Sequence, residues 1–294
     1  MTGAMKQITI TLLMLIFTST EANTSANWMQ CNETAPGCSC TWINGIKTAN
    51  CQNASFNDIP QGLSSEISSL ILDNNEIPVL RNETFERAGL INLQKLSMKN
   101  CRIRDIEKTA FAGLSIIIEI NLSNNQIQNL DPSLFARAEK LRVVNLSNNS
   151  VETLPDGLFA GFKFLQRIEL DGNKISLIGN KTFDNSLKVR NINLNDNQLT
   201  YLNKSVFGEF ASRLDTLQLK NNPWKCDCRL RDFIKWYVSM RHFNSGSIAC
   251  KEPKNMLNAT WRYMQLDQLV CETIVNGTSQ GIGSESTSAP DAAP

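Results

Sequence analysis

A seven-fold internal repeat constrains this chain more than any other feature. The pattern apolar-x-x-apolar-x-apolar-x-x-Asn-x-apolar recurs at intervals of 24 to 26 residues, and a period of this length is typical of stacked-repeat proteins. A phenylalanine follows ten residues after the asparagine position in each of the first six copies. The copies begin at Ile67, Leu93, Ile117, Leu141, Leu165, Val189 and Leu214. The shared register predicts seven similar coils stacked along one axis, over residues 67–220.

Each position of the repeat has a physical role. The alternating apolar residues, such as Ile120 and Leu122, predict a short strand with every second side chain pointing inward. The asparagine amide can donate and accept, so it can satisfy backbone groups that a buried turn leaves unpaired. The phenylalanine fills the space between coils on the opposite side, and only stacking buries the apolar faces. The period matches the leucine-rich repeat. The prediction is an α/β-type repeat solenoid, a horseshoe with a concave parallel β-sheet and an irregular convex side.

Cysteines flank the repeats at both ends. Of the nine cysteines, four precede the first coil and four follow the last, as expected for a solenoid whose apolar ends need caps. We predict caps over residues 28–66 and 221–272. Four cysteines allow three pairings, and spacing alone does not choose among them. A zinc site is disfavoured, because one residue separates Cys226 from Cys228. The ninth cysteine, Cys101, takes the asparagine position of the second coil and is expected to be buried.

The caps resemble the flanking domains of extracellular leucine-rich-repeat proteins. The run from Asn222 to Cys228, Asn-Pro-Trp-Lys-Cys-Asp-Cys, carries the C-terminal resemblance. In those families the first cysteine pairs with the third and the second with the fourth. The resemblance therefore implies the disulfides Cys31–Cys40, Cys38–Cys51, Cys226–Cys250 and Cys228–Cys271. The repeats and caps of such proteins are recognition modules.

A narrower resemblance is to the kekkon-type receptors of insects. It rests on residues 92–103, Asn-Leu-Gln-Lys-Leu-Ser-Met-Lys-Asn-Cys-Arg-Ile, and on residues 227–231, Asp-Cys-Arg-Leu-Arg. Those receptors carry leucine-rich repeats, an immunoglobulin domain and one transmembrane helix in that order. The resemblance covers about residues 31–271. We expect neither the immunoglobulin domain nor the transmembrane helix in this chain.

The two termini differ from the repeats. Residues 1–22 contain an apolar run, Ile8 to Phe17, followed by small and polar residues. This layout predicts a secretory signal peptide, since the run is too short for a membrane-spanning helix. Residues 273–294 are rich in small and polar residues and are expected to be disordered. The mature chain is therefore predicted to be secreted and extracellular, where disulfides persist.

The chain is rich in Asn-x-Ser/Thr motifs, which accept N-glycans in secreted proteins. The candidate acceptors are Asn32, Asn53, Asn82, Asn121, Asn145, Asn148, Asn180, Asn203, Asn258 and Asn276. At Asn121 and Asn145 the motif is also what the repeat template produces. Strand alternation places both on the concave face, where glycans would screen the middle of the sheet.

The concave face is expected to be polar, with no aromatic residue at its outward strand positions. One interpretation is an ordinary solvated sheet. A second is a ligand site in the C-terminal half, away from the glycans, with contact candidates Arg167, Glu169, Asp171, Asn191, Asn193 and Asn195. A third places contacts in the C-terminal cap, where arginines and aromatic residues concentrate: Arg229, Arg231, Trp236, Tyr237, Arg241, Trp261, Arg262 and Tyr263.

The sequence favours binding over catalysis. It contains no phosphate-binding glycine loop, metal-binding histidine motif or nucleophile elbow, so no enzymatic activity, metal or cofactor is predicted. The net charge of +1 argues against a nucleic-acid partner. We predict a secreted recognition module that binds an extracellular protein or cell-surface receptor non-covalently and modulates cell-surface signalling or adhesion. The alternative is a structural protein of the extracellular matrix.

Overall fold

The computed structural model describes residues 31–271 and the backbone of residues 274–275 and 278–279. The predicted signal peptide lies outside these residues, as does most of the predicted tail. The strands in chain order are β1 (Ser39–Ile43), β2 (Ile46–Asn50), β3 (Ser69–Ile71), β4 (Val79–Leu80), β5 (Lys95–Ser97), β6 (Asp105–Ile106), β7 (Glu119–Asn121), β8 (Val143–Asn145), β9 (Thr153–Leu154), β10 (Arg167–Glu169), β11 (Leu177–Ile178), β12 (Asn191–Asn193), β13 (Thr216–Gln218), β14 (Trp224–Lys225), β15 (Cys250–Glu252), β16 (Ile274–Val275) and β17 (Thr278–Ser279).

Helical segments are short. The α-helices are α1 (Cys31–Thr34), α2 (Thr84–Arg87) and α3 (Arg231–Ser239), and the 3₁₀ segments are Lys204–Arg213, Ser245–Ser247, Lys254–Met256, Trp261–Tyr263 and Leu266–Gln268. Within the described part of the chain, none of these helices has the length and apolar character needed to cross a membrane.

One nine-stranded sheet runs the length of the molecule, in the order β1-β2-β3-β5-β7-β8-β10-β12-β13. Every neighbouring pair from β2 onward is parallel, and only the β1–β2 hairpin is antiparallel. The central residue of each repeat strand points inward and is buried: Leu70, Leu96, Ile120, Val144, Ile168, Ile192 and Leu217. The solenoid and its parallel concave sheet are therefore as predicted.

The repeat asparagines form a buried ladder behind the sheet. Asn125 shows the arrangement, because its Nδ2 donates to the carbonyls of Met98 and Leu122, at 2.8 and 2.9 Å. Its Oδ1 accepts from the backbone N–H groups of Cys101 and Ile103, at 2.9 and 3.0 Å. One amide thus satisfies backbone groups of its own coil and the preceding one. Asn149, Asn173, Asn197 and Asn222 donate in the same way, and the Oδ1 of each accepts from one backbone N–H of the preceding coil.

Six phenylalanines pack in a column on the side opposite the sheet. Consecutive ring centroids are 5.7 to 6.1 Å apart and the rings are nearly parallel. All six side chains are buried: Phe85, Phe111, Phe135, Phe159, Phe183 and Phe207. This irregular side also contains the short strand pairs β4–β6 and β9–β11, turns, α2 and the 3₁₀ segment Lys204–Arg213.

Cys101 is buried in the asparagine ladder, as predicted from its position in the repeat. Its Sγ lies 3.0 Å from the carbonyl oxygen of Leu72. Burial raises the pKa of its thiol to about 11, so the thiol is protonated and unreactive at neutral pH.

The N-terminal cap extends the sheet. The β1–β2 hairpin turns at Asn44 and Gly45, both at positive φ, and β2 then pairs with β3, with Ala49 opposite Leu70. The structure contains the disulfides Cys31–Cys40 and Cys38–Cys51. The amide of Asn75 joins the cap to the first coil, because its Oδ1 accepts from the N–H groups of Ala54 and Phe56.

The C-terminal cap covers the last coil with side chains. The Tyr237 hydroxyl donates to the Leu217 carbonyl at 2.6 Å, and Trp224 Nε1 donates to the Leu219 carbonyl at 3.1 Å. Trp224, Trp261 and Tyr237 pack together with Phe233 in an aromatic cluster. The structure contains the disulfides Cys226–Cys250 and Cys228–Cys271.

Candidate functional site

The six predicted contact residues lie together on the concave face. Arg167 and Glu169 are on β10, and they stand opposite Asn191 and Asn193 of β12 in an unshifted parallel register. Asp171 and Asn195 occupy the equivalent positions two residues beyond each strand. The structure therefore brings all six candidates into one patch across two neighbouring coils.

Most polar groups of this patch are engaged with neighbouring coils. Asp171 Oδ1 accepts from the Ser147 hydroxyl at 2.6 Å and from Asn193 Nδ2 at 3.0 Å. Asn195 accepts from the Lys220 N–H at 2.8 Å through Oδ1 and donates to Gln218 Oε1 at 2.9 Å. These bonds link consecutive coils, so the patch is a rigid polar lattice rather than a set of free side chains.

Arg167 is the most open member of the patch. Its side chain is 57% exposed, and its nearest ionic contact is Glu169 Oε1, 3.8 Å from Nε. A contact of that length between exposed groups contributes little. The Arg167 guanidinium is consequently available to a partner carboxylate, for which its planar fork of donors is well suited.

Some outward positions are less exposed than strand alternation predicts. Ser69, Asp73, Ser123 and Ser147 are buried, although the sequence pattern places them on a hydrated face. Asp73 shows the reason, because its Oδ1 accepts from the Ser97 hydroxyl at 2.7 Å and from the Lys99 N–H at 2.9 Å in the next coil. Stacking of coils therefore covers short polar side chains that a single strand would leave exposed.

The concave face ends in a cavity where β13 meets the C-terminal cap. The cavity has a volume of about 320 Å³. Its residues come from the last coils and the cap: Asn195, Thr216, Leu217, Gln218, Leu219, Lys220, Tyr237, His242, Phe243, Asn244, Ser247 and Ile248. Sequence reasoning missed it, because no local pattern shows that the segment 242–248 folds against β13. Asn195 belongs to both the patch and the cavity, so the two form one continuous surface.

The repeat geometry agrees with comparison to known proteins. A family model described as "Leucine rich repeat" matches residues 91–151, 117–175 and 139–199. The repeats are leucine-rich repeats.

Curated relatives match short stretches of this chain. The mouse CD180 antigen is 38% identical over 65 residues, which cover 22% of this chain and 10% of that protein. Human leucine-rich repeat-containing protein 3B is 34% identical over 79 residues, which cover 27% of this chain and 29% of that protein. The matches therefore span less than a third of either relative. They do not test the kekkon-type resemblance, which stays a prediction.

Solved structures share the leucine-rich-repeat fold. Human 5T4, also titled Wnt-activated inhibitory factor 1 and trophoblast glycoprotein, aligns with a TM-score of 0.57 at 22% identity. The alignment covers 81% of this chain and 98% of that one. TLR13, solved as a complex with ssRNA13, aligns with a TM-score of 0.53 at 26% identity, over 59% of this chain and 24% of that one.

The arginines and aromatic residues of the C-terminal cap divide into core and surface. Tyr237 and Trp261 are buried, whereas Tyr263 is 80% exposed. Arg229 is held against Tyr201 of the sixth coil, because Nη2 lies 2.6 Å from Asp227 Oδ2 and the guanidinium stacks 4.3 Å from the Tyr201 ring centroid. Burial and the hydrogen bond to Asp227 raise the pKa of Tyr201 to about 12. This cluster fastens the cap to the repeats, so it is a poor candidate for ligand contact.

The sequons fall on several faces of the leucine-rich repeats. Asn121 and Asn145 lie on the concave strands and are half-buried, and their Oδ1 atoms accept from the N–H groups of Ser123 and Ser147. Six other candidates are exposed: Asn53, Asn82, Asn148, Asn180, Asn203 and Asn258. Nothing is described for the side chain of Asn32, and Asn276 lies outside the described residues. Glycosylation at each sequon stays a prediction.

Proposed function

We propose that this protein is a secreted recognition module that binds an extracellular protein or cell-surface receptor non-covalently. The observation that carries the proposal is the pre-bonded concave patch around Arg167, which continues into the cavity at the cap. The side chains around Arg167 are already fixed by bonds between coils, so this part of the patch would lose little conformational freedom when a partner docks. Such a module would modulate cell-surface signalling or adhesion.

The extracellular part of the proposal rests on the cysteines. Eight of nine are joined in disulfides, and such bonds persist mainly in oxidising compartments. The predicted signal peptide, residues 1–22, supports the same conclusion. Expression of the 294-residue chain in animal cells tests it by the intact mass of material in the medium. Secreted residues 23–294 with four disulfides support the proposal, and a chain retained in the cytosol with an uncut N-terminus contradicts it.

Binding to intact cells tests the recognition role. Fluorescently labelled protein is titrated onto a panel of cell lines, and we expect saturable binding on some of them. Arg167→Glu reverses the charge of the most open residue in the patch and is expected to weaken that binding by roughly tenfold, as for an interface hot spot. Lys174→Glu makes the same charge change at an exposed residue outside the patch and is the matched control.

The outcomes separate a recognition module from a matrix component. Loss of saturable binding in Arg167→Glu, with Lys174→Glu unchanged, supports the concave site. Equal binding by both variants and the wild type contradicts it. Retention on cell-free matrix, with no saturable binding to cells, would instead favour the structural alternative.

Glycopeptide mapping of the same secreted material narrows the part of the concave face where a ligand could bind. Glycans at Asn121 and Asn145 would confine ligands to the C-terminal half of the concave face, where Arg167 and the cavity lie. Unmodified asparagines at both positions would leave the whole sheet open to ligands.

A further inference from the structure

A basic strip lies along one edge of the solenoid, separate from the concave patch. The strip consists of the four segments that lead into the strands of coils four to seven: 139–142, 163–166, 187–190 and 212–215. These segments contain six cations and two acids. The cations, named here the basic edge, are Lys140, Arg142, Lys163, Lys188, Arg190 and Arg213.

Stacking of the coils places the cations of the basic edge in a line. The Gln166 N–H donates to the Arg142 carbonyl at 2.9 Å, and the Arg190 N–H donates to the Gln166 carbonyl at 2.9 Å. The Asp215 N–H continues the series by donating to the Arg190 carbonyl at 2.8 Å. Neighbouring strands are about 4.8 Å apart, so four coils present the cations along a line of about 15 Å. A repeated register thus produces a linear array of positive charge.

The basic edge is accessible and unneutralised. Arg190 is half-buried and the other five cations are exposed. None of the six forms an ion pair with another residue in the described part of the chain. No Asn-x-Ser/Thr motif occurs in the four segments. A dense array of unpaired cations creates a field that attracts a partner of opposite charge.

The charge is specific to this edge and to these coils. In coils one to three, the equivalent segments 65–68, 91–94 and 115–118 contain no cation. On the opposite edge of coils four to six, the segments 148–152, 172–176 and 196–200 contain one lysine and two acids. The basic edge is therefore a local feature that the overall net charge of +1 conceals.

An exposed aromatic ring interrupts the cations. Phe164 lies between Lys140 and Lys188 in the stack, and the Lys140 Nζ sits 5.1 Å from its ring centroid. The ring is 37% exposed, which leaves an apolar surface within the strip. Such a surface suits the C–H face of a sugar ring flanked by anionic substituents.

We propose that the basic edge binds a linear sulfated polysaccharide. The partner must be extended and carry negative charge along its length, because the cations form a line rather than a pocket. The four disulfides favour an extracellular location, where sulfated polysaccharides are abundant polyanions. The site is distinct from the concave patch, so it could hold the protein on a cell surface while that patch contacts a protein.

The test compares two variants with the same change in net charge. The edge variant is Lys140→Gln with Arg142→Gln and Lys188→Gln, and the control variant is Lys108→Gln with Lys174→Gln and Lys254→Gln. All six residues are exposed. The probe is a size-defined, fully sulfated heparin oligosaccharide, titrated into the full secreted chain at several salt concentrations. Desulfated oligosaccharide and a single-stranded RNA of equal charge are compared in parallel.

We expect the edge variant to lose roughly tenfold or more in affinity at physiological salt. The slope of log affinity against log salt should fall by about two to three, as for three lost charge contacts. We expect less than about twofold loss for the control variant, whose lysines lie outside the strip. Phe164→Ala, which removes no charge, is expected to lower affinity for the oligosaccharide further when added to the edge variant.

Three outcomes would overturn the proposal. They are absence of binding to sulfated oligosaccharide, equal losses in the edge and control variants, and tighter binding of RNA than of the oligosaccharide. The last outcome would assign the strip to nucleic acid. Melting temperatures of both variants within about 2 °C of the wild type, as expected for exposed positions, would show that the losses come from binding.

Discussion

The two ends of the sheet are closed by different chemistry. At the N-terminal end, β2 adds to β3 through backbone hydrogen bonds and β1 folds back on β2. At the C-terminal end, β13 is the last strand of the sheet, and side chains of Tyr237 and Trp224 bond to carbonyls of its segment instead. Every residue except proline carries both backbone groups that close the N-terminal end, whereas the C-terminal end needs particular side chains. Substitutions are therefore expected to be tolerated better in the N-terminal hairpin than in the C-terminal cap.

The largest expected difference between the two caps concerns their apolar residues. Trp261 is 1% exposed within the aromatic cluster, whereas Ile43 at the tip of the hairpin is 64% exposed. Trp261→Ala is expected to lower the free energy of unfolding by about 3–5 kcal/mol, because it leaves a large cavity. Ile43→Ala is expected to change it by at most about 0.5 kcal/mol. Urea denaturation measures both, and similar values for the two variants would contradict the comparison.

A disulfide of the C-terminal cap is likewise expected to contribute more to stability than a disulfide of the N-terminal cap. Cys228–Cys271 closes a sequence separation of 43 residues and Cys31–Cys40 one of 9. In the chain-entropy model the longer loop contributes about 4 kcal/mol and the shorter about 3 kcal/mol. Paired Cys→Ser variants at each bridge, compared by thermal unfolding, test this order. A larger loss from the N-terminal pair would show that strain or residual structure outweighs loop length.

A smaller effect is expected from one hydroxyl at the C-terminal closure. Tyr237→Phe removes the donor to the Leu217 carbonyl and is expected to cost about 1–3 kcal/mol, because that carbonyl is left unpaired in the core. Urea denaturation at neutral pH gives the value. A cost near zero would mean that another donor closes this edge of the sheet.

Tyr237 is also expected to make the stability of the fold depend on pH in the alkaline range. Burial raises the pKa of Tyr237 above its ordinary value of 10, so the folded state holds the phenol proton more tightly than the unfolded chain does. The stability from this preference is fully present below pH 10 and is lost as the pH rises above 10 toward the folded-state pKa. The wild type should therefore lose stability more steeply than Tyr237→Phe above pH 10. Parallel slopes for the two proteins would contradict this account.

The smallest effect is expected from an ion pair in the N-terminal cap. Lys47 of β2 pairs with Glu66, whose side chain is 58% exposed. Glu66→Gln is expected to cost at most about 1 kcal/mol and to have no effect in high salt, since exposed pairs are screened. A salt-independent loss of several kcal/mol would show that this cap depends on specific side chains as well.

The sequence predicts those features that each coil repeats and misses those made between unlike segments. The phenylalanine column and the buried Cys101 follow from register, because a position that recurs from coil to coil meets its own copies in the stack. The burial of Asp73 was not predicted, since it depends on hydrogen bonds from Ser97 and Lys99 in the next coil. The cavity at the cap was also missed. Its walls come from segments more than 20 residues apart, such as Gln218 and Phe243, that share no sequence pattern.

The phenylalanine column also has a geometric consequence for the opposite side of the molecule. Its rings are 5.7 to 6.1 Å apart, whereas the strands in front are spaced by about 4.8 Å. Each coil is thus a wedge, about 1 Å thicker at the back than at the front, and a stack of wedges must bend toward its thin side. The radius of the concave arc is therefore set by the spacing of benzyl groups that have almost no exposed surface. Evolution could flatten or tighten that arc by exchanging them, without altering a residue on the face itself.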